Sequence, residues 1–244
     1  GLPSPHPRLQ ATKTFFFPGF TQKTGGVLIE RGLLEARERF SWQDRAAALR
    51  SLGADPDSPF SLFFFSYPSA PVESLAASLA ADPRPLQVLA APGEAGRRLG
   101  EALRALEAPQ VSFRPVPAVA QDKFDRLLWC ADALIVRGED SFVRAQLSAR
   151  PFLWTIYPQD ENAHIVKLRA FMDRIAPSFP EPAGALWREA NLAWNENRWE
   201  NRHWAAFRSA AGDLAAGGRR WADRLAGLGS LSRSLARQIK KELE

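Results

Sequence analysis

Residue types that commonly build reactive sites are scarce in this chain of 244 residues. Its single cysteine, Cys130, rules out an intramolecular disulfide, and its apolar neighbours predict a buried core thiol. The three histidines, His6, His164 and His203, are far apart and have no cysteine partner, so the spacing of a zinc or haem site is absent. No nucleophile elbow occurs either. The sequence therefore argues against thiol, zinc, haem and serine-hydrolase chemistry.

Long apolar runs are also missing. No run approaches the ~20 residues that a membrane-spanning helix needs, and no segment resembles a signal peptide. We therefore expect a soluble, cytoplasmic protein with no membrane partner. Hydrophobic residues make up 45% of the chain and charged residues 24%, which is enough for a real core. The net charge of +5 suits an anionic ligand or an acidic partner protein, and we expect no nucleic acid partner.

Short apolar runs alternate with segments of helical periodicity before residue 175. The predicted strands are residues 61–65, 86–90, 110–115, 133–136 and 152–156, and the predicted helices between them include 33–52, 72–81, 93–106 and 121–131. This alternation with short connections predicts an α/β fold with a Rossmann-like parallel sheet flanked by helices. Ligands of such sheets bind at the carboxyl ends of the strands, so residues 66–67, 119–124, 137–141 and 157–162 are the segments to consider.

The pattern changes after residue 175 to helices without strands. The tryptophans of this region are interpreted as packing anchors of a helical cap on the sheet. A final helix is predicted over residues 217–241, and it is strongly basic. Its basic face is either simply solvated or docks an acidic partner. The predicted division is a sheet domain over residues 15–178 and a helical cap over 179–244, preceded by an extended, proline-containing linker over residues 1–14.

One strand, turn and helix start carries the clearest ligand signal. Gly138 follows the apolar run 133–136 and permits a tight turn, after which the first amides of a helix point outward and can hold an anion. Arg137 adds a fork of donors suited to phosphate oxygens. The alternative is an ordinary helix start, in which Glu139 and Asp140 favour the positive end of the helix dipole.

Gln121 and Phe124 form a second pattern, because residues three apart at a helix start share one face. A carboxamide matches the imide edge of uracil or thymine, and an aromatic ring stacks on a base. The alternative is that Gln121 caps the helix and Phe124 packs in the core. The glycine-rich loop 19–26 is likewise either a phosphate-approaching loop or a flexible connection.

Four segments closely resemble the bacterial protein-arginine rhamnosyltransferases that modify elongation factor P. They are residues 121–129 (QDKFDRLLW), 136–146 (VRGEDSFVRAQ), 15–21 (FFFPGFT) and 157–164 (YPQDENAH). The resemblance implies the C-terminal, donor-binding lobe of an inverting GT-B glycosyltransferase that uses dTDP-β-L-rhamnose, needs no metal or other cofactor, and modifies an arginine of elongation factor P. It further implies that a first lobe with the general-base aspartate precedes residue 1. We would then expect this chain alone to bind donor but to transfer poorly or not at all.

The resemblance also implies roles for individual residues. Gln121 and Phe124 would hold the thymine, Phe65 and Tyr67 would form part of the pocket wall, and Arg137 and Ser141 would bind the diphosphate together with the helix amides. Tyr157 and Gln159 are weaker candidates at the next strand end. Glu139, with Asp140 beside it, would assist catalysis by binding sugar hydroxyls or the acceptor guanidinium. Thr155 departs from the family, which commonly has histidine there.

Two carboxylates beside a diphosphate would repel it unless they point elsewhere, so Glu139 and Asp140 pose a physical problem. A second function class stays open, namely a nucleotide-binding regulatory or docking module without chemistry. In either case we expect a monomer.

Overall fold

The computed structural model describes residues 2–9 and 12–243, and its centre is a five-stranded parallel sheet. In chain order the strands are β1 Leu2–Pro5, β2 Thr12–Phe15, β3 Ser61–Phe64, β4 Leu86–Ala90, β5 Val111–Pro115, β6 Ala133–Arg137 and β7 Phe152–Thr155. The order across the sheet is β5-β4-β3-β6-β7, and each neighbouring pair is parallel. The predicted α/β class with a Rossmann-like parallel sheet is confirmed.

This strand order creates a crevice in the middle of the sheet. The chain proceeds outward from β3 through β4 to β5, and then crosses back to place β6 on the other side of β3. The connections that leave β3 and β6 therefore run in opposite directions, which opens a gap beyond their carboxyl ends. Phe64 and Ile135 are paired in the register of these two strands, so Phe65 and Arg137 reach the same edge of the sheet.

Helices cover the sheet on both faces. They are α1 Leu33–Arg39, α2 Trp42–Ser51, α3 Val72–Ala81, α4 Glu94–Ala105, α5 Gln121–Cys130, α6 Glu139–Leu147, α7 Ala163–Ile175, α8 Ala183–Asn195, α9 Asn201–Ser209, α10 Ala211–Leu228 and α11 Leu231–Leu243. Every residue of β3, β4 and β7 is buried, as expected for parallel strands between two helical layers. Within residues 2–9 and 12–243, no helix combines the length and apolar character needed to cross a bilayer.

The helices after β7 pack on the sheet through their tryptophans. Trp187, Trp194, Trp204 and Trp221 are each at most 1% exposed, which confirms their interpretation as packing anchors. They belong to the same continuous core as the strand residues. Cys130 is fully buried, and burial raises the pKa of its thiol to about 11 against the opposing charges of Arg45 and Arg150, so it is a core thiol as predicted.

Helix α8 also satisfies the backbone of β7, the last strand of the sheet. The side-chain oxygens of Asn191 and Asn195 accept hydrogen bonds from the backbone N–H groups of Trp154 and Ile156, at 3.1 and 3.0 Å. Asn195 Nδ2 donates in return to the Trp154 carbonyl at 2.8 Å. Two asparagines one helical turn apart thus take the place of a neighbouring strand, which closes this edge of the sheet.

Two long helices predicted from the sequence are each divided in the structure. The predicted helix 33–52 breaks into α1 and α2 because Ser41 forms a capping box with Asp44, which starts a new helix there. The predicted helix 217–241 is wrong as well, because α10 ends at Gly229, whose φ of 81° is left-handed, and α11 begins at Leu231. In both cases the apolar periodicity continues through the break, so periodicity alone does not reveal it.

The predicted linker 1–14 contains regular structure. Residues 2–5 pair antiparallel with residues 12–15 to form a β-hairpin, while residues 1, 10 and 11 lie outside the described part of the chain. The glycine-rich loop that follows is tied back on itself, since Gly19 N donates to the Gly26 carbonyl and Gly25 N to the Phe17 carbonyl. Its Phe20 ring packs against Phe142 and Trp221. The division into linker, sheet domain and helical cap stays a prediction.

Candidate functional site

A cleft of 320 Å³ lies at the crevice between the ends of β3 and β6. Its volume is in the range of small-ligand sites. Six residues singled out from the sequence line it: Phe65, Gln121, Phe124, Arg137, Asp140 and Ser141. A larger groove of 640 Å³ runs beside β5, at the outer edge of the sheet and away from these residues. The carboxamide and aromatic pair and the arginine turn thus line the same cleft.

Phe124 and Gln121 form one end of the cleft. Phe124 is half-buried and packs edge-on against Phe63 with ring centroids 5.8 Å apart, while part of its ring lines the cleft. Gln121 is the first residue of α5 and does not cap it, because the helix has no side-chain cap. Phe124 therefore combines the core-packing alternative with a place in the cleft, whereas the capping alternative for Gln121 is wrong.

Arg137 forms the other end and has an unusual electrostatic environment. Its guanidinium lies over the rings of Phe65 and Tyr67, 4.4 and 4.8 Å from their centroids. No carboxylate in the described part of the chain is close enough to form an ion pair with it. Stacking on two rings orients the guanidinium plane and leaves its N–H groups free at the edge, so an uncompensated positive charge faces the cleft.

The turn after Arg137 places an uncapped helix start beside this charge. Gly138 has φ 69° and ψ −174°, a conformation that residues with a Cβ avoid, and α6 begins at the next residue without a side-chain cap. The turn is anchored from below, because Trp154 Nε1 donates to the Gly138 carbonyl at 3.0 Å. The first amides of α6 and the half-buried Ser141 thus join Arg137 at one end of the cleft.

The two acids of this turn point in different directions. Asp140 lines the cleft, but its carboxylate accepts hydrogen bonds from Gln121 Nε2 at 2.6 Å and from Arg144 Nε at 3.2 Å. Glu139 has a side chain that is 78% exposed and lies 3.6 Å from Lys167 Nζ. Arg144 therefore offsets part of the charge of Asp140, and Glu139 is turned toward solvent beside Lys167, so the repulsion that the two acids would exert on an anion is reduced.

Arg144 is a residue that the sequence reasoning did not single out. Its buried guanidinium also contacts Asp125 at 2.5 Å and Glu30, so that three carboxylates surround one cation. Burial, together with the negative charges of Glu30 and Asp140, raises the pKa of the Asp125 carboxyl to about 6 despite the opposing effect of Arg144. The spacing of Asp140 and Arg144, one helical turn apart, was the only local signal of this cluster.

The remaining predicted residues surround the cleft or lie beyond it. The Tyr157 ring is 67% exposed and contacts the Tyr67 ring edge-on at 5.5 Å, so both tyrosines stand at the rim. Gln159 is held through its backbone, whose N–H donates to His164 Nδ1 at 3.2 Å. Neither these three residues nor Glu139 line the cleft itself. Their binding roles stay predictions.

Thr155 has a structural position beneath this rim. Its hydroxyl accepts a hydrogen bond from Trp194 Nε1 at 2.7 Å and lies 2.9 Å from the Ser66 hydroxyl. It thereby joins the ends of β3 and β7 to α8 in a buried polar contact. Thr155, which departs from the family pattern, thus has a structural role here, because its hydroxyl accepts a hydrogen bond from the indole N–H of Trp194.

The fold and the cleft define a Rossmann-like α/β domain with a ligand crevice at the switch point of its sheet. A sequence model of the family described as Elongation-Factor P (EF-P) rhamnosyltransferase EarP matches residues 1–240. The chain therefore belongs to the EF-P rhamnosyltransferase family, and the resemblance seen in residues 121–129 and 136–146 is confirmed.

Individual relatives agree. The protein-arginine rhamnosyltransferase of Pseudomonas putida is 38% identical, with 88% of this chain and 64% of that protein aligned. The protein-arginine rhamnosyltransferase of Pseudomonas aeruginosa is also 38% identical, with 89% of this chain and 61% of that protein aligned. That of Shewanella oneidensis is 33% identical, with 94% of this chain and 63% of that protein aligned. The chain thus spans 61–64% of the length of these curated relatives.

A solved structure concerned with EarP-mediated arginine glycosylation of translation elongation factor EF-P resembles this chain closely. The TM-score is 0.82 at 32% sequence identity, and the match covers 94% of this chain and 76% of that one. The predicted GT-B type of the Rossmann-like fold is confirmed by this likeness.

Proposed function

We propose that this chain is the donor-binding part of an inverting glycosyltransferase that transfers L-rhamnose from dTDP-β-L-rhamnose to an arginine side chain of elongation factor P. Family membership supports the reaction class, and the Pseudomonas putida relative carries the name of a protein-arginine rhamnosyltransferase. The observation that carries the assignment to this cleft is the guanidinium of Arg137, which has no carboxylate partner among the described residues and is stacked on Phe65 and Tyr67 beside the uncapped start of α6.

In this proposal the thymine lies at the Gln121 and Phe124 end. The half-buried Phe124 ring offers a stacking surface that Phe63 holds in place, and Gln121 supplies hydrogen-bonding groups beside it. Base stacking on an aromatic ring contributes about 1–3 kcal/mol, which is enough to orient the nucleoside. The aromatic residues Tyr67 and Tyr157 then stand at the rim next to the sugar that is transferred.

The diphosphate lies at the other end, against Arg137, Ser141 and the first amides of α6. Negative charge develops on this group as its bond to rhamnose breaks, and donors that are already in place stabilise that charge without reorganising. The ring-stacked guanidinium is suited to this task, because its N–H groups are held in place and directed at the cleft. We propose that these donors replace a divalent cation, so that transfer needs no metal.

Glu139 is proposed to act on the acceptor. Its side chain is 78% exposed and lies outside the cleft, where an incoming arginine would meet it. A guanidinium stays protonated in water, so a carboxylate is needed to hold it near the donor. We expect residues 1–244 alone to transfer poorly, because the alignments with this chain cover only 61–64% of the length of the curated relatives.

Calorimetric titration of this chain with thymidine diphosphate tests the proposal. We expect saturable binding, and we expect Arg137→Ala to weaken it by roughly ten- to a hundredfold, the range of a charge-assisted hydrogen-bonding group. Arg202→Ala is the matched control, because Arg202 lies on α9 in an exposed pair with Glu200 and should leave affinity unchanged.

Two negative outcomes have different meanings. If thymidine diphosphate at millimolar concentration gives no heat of binding and no thermal shift, donor binding as a whole is contradicted. Unchanged affinity of Arg137→Ala, with saturable binding by the unmodified chain, would instead remove only the diphosphate role of Arg137.

A further inference from the structure

Arg144 connects three separate segments behind the cleft. It is 7% exposed, and its guanidinium contacts Asp125 on α5, Asp140 on α6 and Glu30 in the loop before α1. Asp140 is the member of this cluster that reaches the cleft, with a side chain that is 59% exposed. An exposed aspartate would normally sample several rotamers, so the hold of Arg144 restricts where its carboxylate lies.

Asp140 in turn determines how the Gln121 amide is oriented. Gln121 Nε2 lies 2.6 Å from Asp140 Oδ2. An ionised carboxylate can only accept hydrogen bonds, so the amide nitrogen must face Asp140 and the amide oxygen must face away from it. Gln121 Oε1 receives no hydrogen bond from the residues that the structure describes, and the side chain lines the cleft.

We propose that Arg144 is a positioning residue that selects the base: by holding Asp140 it fixes the Gln121 amide so that Oε1 faces the ligand as an acceptor. This inference rests on the proposed nucleotide-binding function. An acceptor at this position matches the imide N–H of thymine or uracil. It disfavours cytosine, whose ring nitrogen at that place is itself an acceptor, because two acceptors facing each other leave both unsatisfied.

Arg144 also offsets negative charge beside the cleft. Without Arg144 the Asp140 carboxylate would face the cleft as an uncompensated negative charge, close to the diphosphate that Arg137 is proposed to bind. The same guanidinium therefore orients the base-reading amide and offsets part of the negative charge of the acid that orients it. A lysine could supply the charge but not the several directed contacts of the planar fork.

The test compares thymidine diphosphate with deoxycytidine diphosphate in calorimetric titrations of residues 1–244. We expect the unmodified chain to prefer thymidine diphosphate by roughly tenfold or more, the size of one unsatisfied hydrogen-bonding group. Asp140→Asn should lose most of that preference, because an asparagine amide can accept from or donate to Gln121 and allows both orientations. Arg144→Lys should give an intermediate preference. A direct contact of Asp140 with phosphate or ribose would weaken both nucleotides alike, so the ratio isolates the reading of the base.

Arg208→Met is the matched control for a structural role. Arg208 is 8% exposed and paired with Asp82 on the far side of the fold, so its loss should lower the melting temperature and leave the nucleotide preference unchanged. If Arg144→Lys and Asp140→Asn keep the unmodified preference, the cluster only stabilises the fold and the inference is overturned. Should Arg144→Lys fail to fold, Arg144→Gln takes its place, because a carboxamide can donate to Asp140 but supplies neither the charge nor the fork of donors, and an unmodified preference in Arg144→Gln would overturn the inference.

The unmodified chain separates the inference from the function on which it rests. Equal affinity for the two nucleotides would overturn base selection but leave nucleotide binding intact. Binding of neither nucleotide would overturn the proposed function and this inference together.

Discussion

Arg137 and Arg144 belong to the same strand, turn and helix segment, yet their surroundings give them opposite electrostatic roles. Arg137 stacks on Phe65 and Tyr67 and has no carboxylate partner among the described residues, so its charge is available to a ligand. Arg144 is buried among three carboxylates, so its charge is consumed within the protein. The first arrangement suits recognition of an anion, whereas the second suits the positioning of neighbouring side chains.

The turn between these arginines depends on the glycine at position 138. We expect Gly138→Ala to lower the free energy of unfolding by about 1–3 kcal/mol, because φ 69° with ψ −174° is open essentially to glycine alone. Thymidine diphosphate affinity should fall as well, since the turn presents the amides of α6. Chemical denaturation and calorimetry measure the two effects.

Gly212→Ala provides the comparison for that substitution. Gly212 lies in α10, and a Cβ added there would meet nothing within 4 Å, so alanine should be neutral or stabilising by up to ~1 kcal/mol. Equal effects of the two substitutions would mean that the turn tolerates a side chain and is not a constraint on the site.

The sequence predicted the residues of the cleft better than the contacts behind it. Phe65, Gln121, Arg137 and Ser141 follow strand ends or open helices, and such positions converge in any parallel sheet. The partner of Arg144 in the loop before α1 is 114 residues away, and nothing local in the sequence indicates that contact. The orientation of Glu139 could not be deduced for the same reason, since its cation, Lys167, is far away in the sequence, whereas the pairing of Asp140 with Arg144 had a local signal in their spacing.

At the scale of elements, helix α8 supplies hydrogen-bond partners to the backbone of β7, a role that its sequence alone does not indicate. Asn191 and Asn195 act as substitutes for a strand beside β7, and the two differ in burial: Asn191 is 1% exposed, whereas Asn195 is half-buried. Asparagine is ordinarily a weak helix former, and in a helix its side chain would be expected to face solvent. Its role follows only from the parallel sheet, whose last strand needs partners.

Asn191→Ala should therefore destabilise the protein more than Asn195→Ala. The first change leaves the buried Trp154 N–H without an acceptor, at a cost of about 1–3 kcal/mol, whereas Asn195 is itself half-buried, so its loss lets water in more easily to the backbone groups that it served. Urea denaturation of both variants measures the difference. A larger loss for Asn195→Ala would show that water does not replace Asn195 at this edge of the sheet.

Element boundaries were predictable wherever turn chemistry agreed with periodicity. The predicted helix 72–81 and strand 86–90 coincide with α3 and β4. The division between α1 and α2 was missed although Ser41 and Asp44 have capping-box spacing, because the apolar pattern continues across it. The end of α10 at Gly229 depends on a tertiary contact: a Cβ on Gly26 would lie 2.5 Å from the Gly229 carbonyl, so the two backbones approach closely there.

At the scale of the whole molecule, the site exists because the strand order of this parallel sheet reverses between β3 and β6. The outward half, β3 to β5, supplies Phe65 and the wall near Val116, and the returning half supplies Gln121, Arg137 and Ser141. The Arg144 cluster joins α5, α6 and the loop before α1 behind this reversal. The protonation state of that cluster is therefore a property of the assembled fold and contributes to the stability of the whole chain.

Two buried aspartates should give that stability opposite dependences on pH. Burial would raise the pKa of Asp82, but hydrogen bonds from Arg84, Arg208 and Trp204 outweigh burial and hold it well below the usual value. Asp82 thus contributes stability above pH ~4 that is lost as the pH falls. Asp125 has a pKa raised to about 6, so the folded protein binds its proton more tightly than the unfolded chain does. Its contribution is present below pH ~4 and is lost as the pH rises through 6.

The difference in unfolding free energy between the unmodified chain and Asp125→Asn isolates this second contribution, because the contribution of Asp82 is the same in both. The groups that face Asp125 are Arg144, Glu30 and Asp140. We expect the difference to fall by on the order of 1–3 kcal/mol between pH 4 and 7 and to level off above it, as measured by urea denaturation at each pH. A difference that rises with pH would mean that pairing with Arg144 outweighs burial. The pKa of Asp125 would then lie below its usual range, because Arg144 would stabilise the ionised Asp125 carboxylate even while it contacts Glu30 and Asp140.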